Sequence, residues 1–215
     1  MLNMRPSFAL SMSTKRIILI VVFWLLLPVS QAATARQILV YGDSLSAAYG
    51  LDLEQGWAHL LSEKLAGQHE VINASISGET SSGGLARLPA TLEQFKPDLV
   101  LLELGANDGL RGQSTQSLEQ NLIAMIELIK QQGASVVVFG ITLPASYGPR
   151  YIDAFEATFE KAADNTGQHY YDFVVERFIG NDEYIQADGL HPTALAHPEI
   201  AELVHTYLKE QNLLN

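Results

Sequence analysis

The chain has 215 residues, 47% hydrophobic and only 17% charged, enough apolar material for one full core and too little charge for a disordered segment. Its 13 basic and 24 acidic residues leave a net charge of −11 with no basic stripe, which argues against nucleic acid or an anionic headgroup surface as partner. Cysteine is absent, so disulfides, thiol chemistry, Cys-ligated zinc and a lipidated N-terminal Cys are excluded.

The first expectation along the chain is a cleaved secretory signal peptide over residues 1–35. Arg5, Lys15 and Arg16 are its only charged residues, and the unbroken apolar run Ile17 to Leu27 follows them. Pro28 and small residues come next, with Ser30-Gln31-Ala32 or Ala33-Thr34-Ala35 as an A-x-A-like cleavage site. Such a run rises only about 16 Å as a helix, short of a hydrocarbon core of about 30 Å, so a stable membrane anchor is not expected. Removing the segment leaves 10 basic against 24 acidic residues, a net −14. The expected destination is the periplasm or the medium, and residues 36–215 are expected to form a single, monomeric domain.

From residue 37 onward, short apolar runs alternate with helical patterns. Candidate strands are Gln37–Tyr41, Glu70–Asn73, Leu99–Leu104, Ser135–Phe139 and, more weakly patterned, His169–Phe173. The runs Leu99-Val100-Leu101-Leu102 and Val136-Val137-Val138-Phe139 do not alternate with polar residues, which suits strands covered on both faces. Leu118, Leu122, Met125, Ile126 and Ile129 form one helical stripe, ending near Gln131-Gln132-Gly133, and Ile200, Leu203, Val204, Tyr207 and Leu208 form another. Strands alternating with helices predict βαβ units in a three-layer α/β/α sandwich. Functional groups in such folds gather in the loops outside the carboxyl ends of the strands.

Those loops carry reactive residue types. Gly42-Asp43-Ser44-Leu45-Ser46 follows the first strand and places a serine where a helix could begin, although alone this also describes a helix N-cap. Gly78 follows the second strand, within Asn73-Ala74-Ser75-Ile76-Ser77-Gly78-Glu79-Thr80. Gly105-Ala106-Asn107-Asp108-Gly109 follows the third and reads equally as a turn. Asp188-Gly189-Leu190-His191-Pro192 precedes the last helix and can supply an imidazole base and its orienting carboxylate from one segment.

Taken in this order, Gly-Asp-Ser-Leu, Gly78, Gly-x-Asn-Asp and Asp-x-x-His resemble the GDSL, or SGNH, hydrolase family. The likeness runs from about residue 37 to the C-terminus and is closest to its small periplasmic arylesterase and thioesterase branch. It extends to Asn73–Ser77, Gly83–Pro89, Gly109–Gly112 and Leu143–Gly148, with Ala106 where Gly is expected and Glu79 where Asp is expected. The resemblance implies a flavodoxin-like five-stranded parallel sheet. It implies Ser44 as nucleophile, His191 as general base and acid, and Asp188 as the carboxylate that holds the imidazole. It also implies an oxyanion hole from the Ser44 and Gly78 N–H groups and the Asn107 side chain, with no metal and no organic cofactor.

The implied substrate is a small acyl ester or thioester, including aryl esters and lysophospholipids. Leu110, Leu143, Pro144 and Tyr147 are expected to line an acyl groove. Two rival readings are an exported carbohydrate deacetylase of the same superfamily and a non-catalytic binding protein on this fold. His59, His69, His169, His197 and His205 show no zinc-like spacing, and His197, before Pro198, reads as structural. Glu103 sits in an apolar strand, where a carboxylate needs hydrogen bonds, either supporting the site from behind or ending the strand at its rim.

Overall fold

Strand β1 spans Gln37–Gly42, β2 Glu70–Asn73, β3 Leu99–Glu103, β4 Ser135–Gly140 and β5 His169–Asp172. The computed structural model describes residues 35–173, 178 and 180–215. The expected signal peptide, apart from Ala35, lies outside the described residues. All pairings are parallel, and the strand order is β2-β1-β3-β4-β5. The two unalternating apolar runs are the inner strands β3 and β4, with β1 as the third inner strand: every residue of β3, and all but the first of β1 and β4, is buried.

Six helices connect and cover the strands among the described residues: α1 Trp57–Leu65, α2 Ser81–Phe95, α3 Ala106–Leu110, α4 Thr115–Gln131, α5 Pro149–Thr166 and α6 His197–Glu210. Helices α1 and α6 pack together, while α4 packs between α2 and α5, giving the helical layers of the α/β/α sandwich. The stripe Leu118, Leu122, Met125, Ile126 and Ile129 is the buried face of α4, and Gly133, at φ 85°, turns the chain after it. On α6, Ile200, Val204 and Leu208 are buried.

This is the flavodoxin-like order, in which the chain leaves β1 toward β2 on one side and returns to β3 on the other. A crevice therefore opens outside the carboxyl ends of β1 and β3. Ser44 follows β1 and Asn107 follows β3, so the topology alone brings these two loops together.

Candidate active site

Gly42 ends β1 against β3, where a Cβ would stand 2.5 Å from Glu103 Oε2 and 2.9 Å from the Glu103 carbonyl. Only a glycine lets the two strand ends approach this closely. No α-helix starts at Ser44, where the sequence allows one; residues 44–50 form turns, and α1 begins only at Trp57. The physical reason is local. The Asp43 Oδ1 atom accepts the Leu45 N–H at 3.1 Å, and Ala48 at φ 55° and Gly50 at φ 76° bend the chain out of helical geometry. Trp57 braces this turn from below: its indole N–H donates to the Leu45 carbonyl at 3.1 Å, and its backbone N–H donates to His197 Nδ1 at 3.0 Å. His197 is buried, and burial pushes its imidazole down to about 4, so it is a neutral structural acceptor.

The segment before α6 folds back on itself. Ile185 bridges Pro192, the Gln186 N–H donates to the His191 carbonyl at 2.8 Å, and Gly189 takes φ 72° at the tip. Asp188 Oδ1 accepts the N–H groups of Leu190 at 2.9 Å and His191 at 3.0 Å, while Oδ2 meets His191 Nδ1 at 2.7 Å. Burial pushes the Asp188 carboxyl up, but these hydrogen bonds and the imidazole outweigh it and hold the group below the usual carboxylate range. On the other edge of the ring, His191 Nε2 lies 2.8 Å from Ser44 Oγ. Ser44, His191 and Asp188 thus form one continuous hydrogen-bonded chain, although 147 residues separate the first two.

Asn107 joins the same crevice from the first turn of α3. Its side-chain nitrogen donates to Asp43 Oδ2 at 3.1 Å and to the Glu79 carbonyl at 2.9 Å. Gly78, one residue before that carbonyl, sits at φ 80°, and its N–H makes no hydrogen bond among the described residues. Its own carbonyl accepts from Arg111 at 3.2 Å. The Glu79 side chain pairs with Arg87 at 2.8 Å, whose guanidinium lies over the Tyr41 ring. The change from Asp to Glu thus falls on a structural ion pair beside the crevice.

Two buried carboxyls underlie the Ser44 turn. Glu103 Oε2 accepts the Ser46 hydroxyl at 2.7 Å and the Asp43 N–H at 3.3 Å, while Oε1 has no partner among the described residues. Burial first, then the Asp43 charge, push the Glu103 carboxyl well up. Burial likewise pushes Asp43 up, to about 7, against the opposing hydrogen bonds from Leu45 and Asn107. Like charges in one dry site cannot both ionise at little cost, so the Asp43–Glu103 pair favours holding a proton, while the Leu45 N–H and the Asn107 amide favour the ionised form of Asp43. Of the two positions open to Glu103 from sequence, the structure shows the supporting one. Asp43, Tyr49, Asp108 and Gln186 were not singled out by sequence reasoning. Buried Asp108 anchors the start of α2 by accepting the Ser81 N–H and hydroxyl at 2.7 and 2.6 Å.

A cavity of about 200 Å³ opens beside Ser44, with Asn107 and His191 at its edge. Leu110, Ile141, Leu143, Pro144 and Phe173 supply its apolar wall. Tyr147 lies outside that wall: its phenol donates to the Leu110 carbonyl at 2.8 Å and its ring stacks on Tyr151. It supports the Leu110 loop from outside because its hydroxyl finds a backbone acceptor there. Among the described residues, no group of three or more His, Asp or Glu side chains is placed to hold a metal ion.

Residues 40–197 match the model of the GDSL-like lipase/acylhydrolase family. The chain belongs to this family. Esterase TesA of Pseudomonas aeruginosa is 48% identical over 183 residues, covering 84% of this chain and 91% of that protein. Thioesterase 1/protease 1/lysophospholipase L1 of Escherichia coli K12 is 43% identical over 179 residues, covering 83% and 86%. The crystal structure of the psychrotrophic esterase EstA from Pseudoalteromonas sp., inhibited by monoethylphosphonate, superposes with a TM-score of 0.80 at 42% identity. That match covers 84% of this chain and all of the other. The matched span of this GDSL family member takes in Ser44, Gly78, Asn107, Asp188 and His191.

Proposed function

We propose that this enzyme hydrolyses acyl esters and thioesters through a covalent intermediate on Ser44. The observation that carries the reading is the unbroken Ser44–His191–Asp188 hydrogen-bonded chain at the mouth of an apolar cavity. Ser44 Oγ attacks the substrate carbonyl carbon as His191 Nε2 takes its proton, and Asp188 stabilises the imidazolium that forms. The same proton then passes to the departing alkoxide or thiolate, leaving an acyl-serine. Water, deprotonated by His191, attacks that ester and returns the enzyme.

Negative charge on the carbonyl oxygen is met by the N–H groups of Ser44 and Gly78 and by the Asn107 amide. Asn107 already spends both amide hydrogens, on Asp43 and on the Glu79 carbonyl. The oxyanion takes the hydrogen now held by the Glu79 carbonyl, because an anionic acceptor outcompetes a neutral one. Three such donors supply several kcal/mol of transition-state stabilisation, since losing one typically costs about 10²–10³ in rate.

An apolar wall without a charged platform suits acyl chains, and the names of the relatives, esterase and thioesterase, support the same substrate class. The reading includes export to the periplasm or medium, guided by the N-terminal pattern, and action as a monomer on small acyl substrates rather than on nucleic acid. Among the described residues no helix is long and apolar enough to cross a membrane. The test is a fluorophosphonate label with peptide mapping, alongside p-nitrophenyl ester turnover. Label on Ser44, lost together with turnover in Ser44→Ala, is the expected result; an unlabelled, inactive wild-type protein overturns the reading.

A further inference from the structure

Tyr49 is a large aromatic residue that is 49% exposed, yet its ring lies on the His191 imidazole with centroids 4.3 Å apart and planes tilted by 33°. An exposed tyrosine is normally free to turn, but this one sits on an anchored backbone. Gln186 Nε2 donates to the Tyr49 carbonyl at 2.9 Å and to the Pro192 carbonyl at 2.9 Å, so one side chain ties the nucleophile turn to the histidine loop. The next residue, Gly50, takes φ 76°, and a Cβ there would stand 2.7 Å from Gln186 Oε1. The close approach of the two loops thus depends on the backbone at Gly50 and places Tyr49 over the base.

We infer that Tyr49 is a positioning residue for His191, holding the imidazole between Ser44 and Asp188 and meeting with its π-face the positive charge that develops there. The inference rests on the serine-hydrolase reading above. The imidazole is held in plane by Asp188 at Nδ1 and Ser44 at Nε2, but neither partner restrains a swing of the ring out of that plane. Tyr49 covers one face and blocks that swing. Its quadrupole also favours imidazolium over imidazole, and imidazolium appears as Ser44 attacks. The contact is therefore stronger in the transition state than in the ground state, so its loss falls on kcat rather than on KM. Tyr49 does not line the acyl cavity, so substrate binding is left intact.

The test compares wild type with Tyr49→Phe and Tyr49→Leu in p-nitrophenyl butyrate kinetics, with fluorophosphonate labelling and thermal unfolding measured in parallel. Phenylalanine keeps the π-face and should retain at least half of the wild-type kcat. Leucine keeps apolar cover without the π-face and should lose kcat by about tenfold at unchanged KM and unfolding midpoint. Labelling of Ser44 should slow with kcat in the leucine variant, because the same base activates the nucleophile. Wild-type kcat in Tyr49→Leu, or a loss confined to KM, overturns the inference while the labelled wild type leaves the serine-hydrolase reading intact. A wild-type enzyme that takes no label overturns that reading instead.

Discussion

The Asp43 carboxylate holds the Asn107 side-chain amide at 3.1 Å, and this contact decides which end of the amide faces the crevice. The Asp43 oxygen accepts in this contact, so it fixes the nitrogen, not the oxygen, of the amide on its side. The Glu79 carbonyl, 2.9 Å from the same nitrogen, enforces the same choice. Asp43, next to Ser44, thus orients the Asn107 amide, which lies 64 residues away in sequence.

Asp43→Asn follows directly as a test. An asparagine can offer either amide end to Asn107, so only the Glu79 carbonyl then holds the nitrogen on its side and the orientation is less firmly set. We expect kcat to fall by about 10–10², less than for outright loss of a donor, with KM little changed. Steady-state kinetics on a p-nitrophenyl ester, together with Asn107→Ala as the reference for full loss, checks the ordering. Equal activity in Asp43→Asn and wild type rules out the orienting role.

The close approach at Gly42 predicts a different kind of damage. Gly42→Ala drives a methyl group into the Glu103 carboxyl and its backbone carbonyl, at 2.5 and 2.9 Å. Both strand ends are buried, so relief requires β1 or β3 to shift. Overpacking of this sort costs about 1–3 kcal/mol, and the shift also moves the Ser44 turn. Urea unfolding should show lower stability, and kcat should fall more steeply than the stability loss alone would cause at 25 °C.

His197 ties stability to pH with a definite sign. Its imidazole is depressed by burial from 6.5 to about 4. A base depressed on folding contributes stability that is present above the unfolded value, and that contribution is lost as pH falls toward the folded one. Between pH 6.5 and pH 5 this amounts to about 2 kcal/mol at 1.36 kcal/mol per unit. His197→Asn offers the Trp57 N–H a side-chain oxygen that does not titrate. The stability advantage of wild type over this variant should therefore shrink by about 2 kcal/mol between pH 7 and pH 5 in urea unfolding. Asp43 and Glu103, raised by burial, act in the opposite direction in both proteins and cancel in the difference.

The parts of this molecule legible in sequence are those carried by short-range pattern. The inner strands β3 and β4 are visible as unalternating apolar runs, and the stripe of α4 as a helical period. Ser44, Gly78, Asn107, Asp188 and His191 stand out only when their blocks are taken together in chain order, since each block alone also reads as a cap or a turn. The turn after Ser44 is not legible, because Ala48 at φ 55° keeps the segment from becoming helix and alanine gives no sign of a left-handed conformation. Tyr49 and Gln186 were not legible either. Their roles depend on the 137-residue contact between two loops, and an exposed tyrosine beside a glycine reads as ordinary surface. Tyr147 reads from sequence as part of the groove, but its phenol donates to the Leu110 carbonyl and the residue lies outside the cavity wall.

The wall of the cavity leads to the last expectation, on chain length. Leu143 is 4% exposed, lines the cavity, and lies where a Cβ on Gly109 would meet it at 2.7 Å, so it is wedged between α3 and the acyl space. Each substrate methylene that leaves water against such a wall gains about 0.8 kcal/mol, or roughly fourfold in kcat/KM. For acetyl, butyryl, hexanoyl and octanoyl p-nitrophenyl esters, kcat/KM should therefore climb with length. The climb should then stop, because about 200 Å³ admits only a short-to-medium chain. Replacing Leu143 by Ser removes apolar wall without touching Ser44, His191 or Asp188. The slope should flatten while acetyl ester hydrolysis stays within about threefold of wild type, since acetyl makes little use of that wall. A wild-type profile that peaks at acetyl and declines with length would shift the substrate class from acyl chains to acetylated glycans.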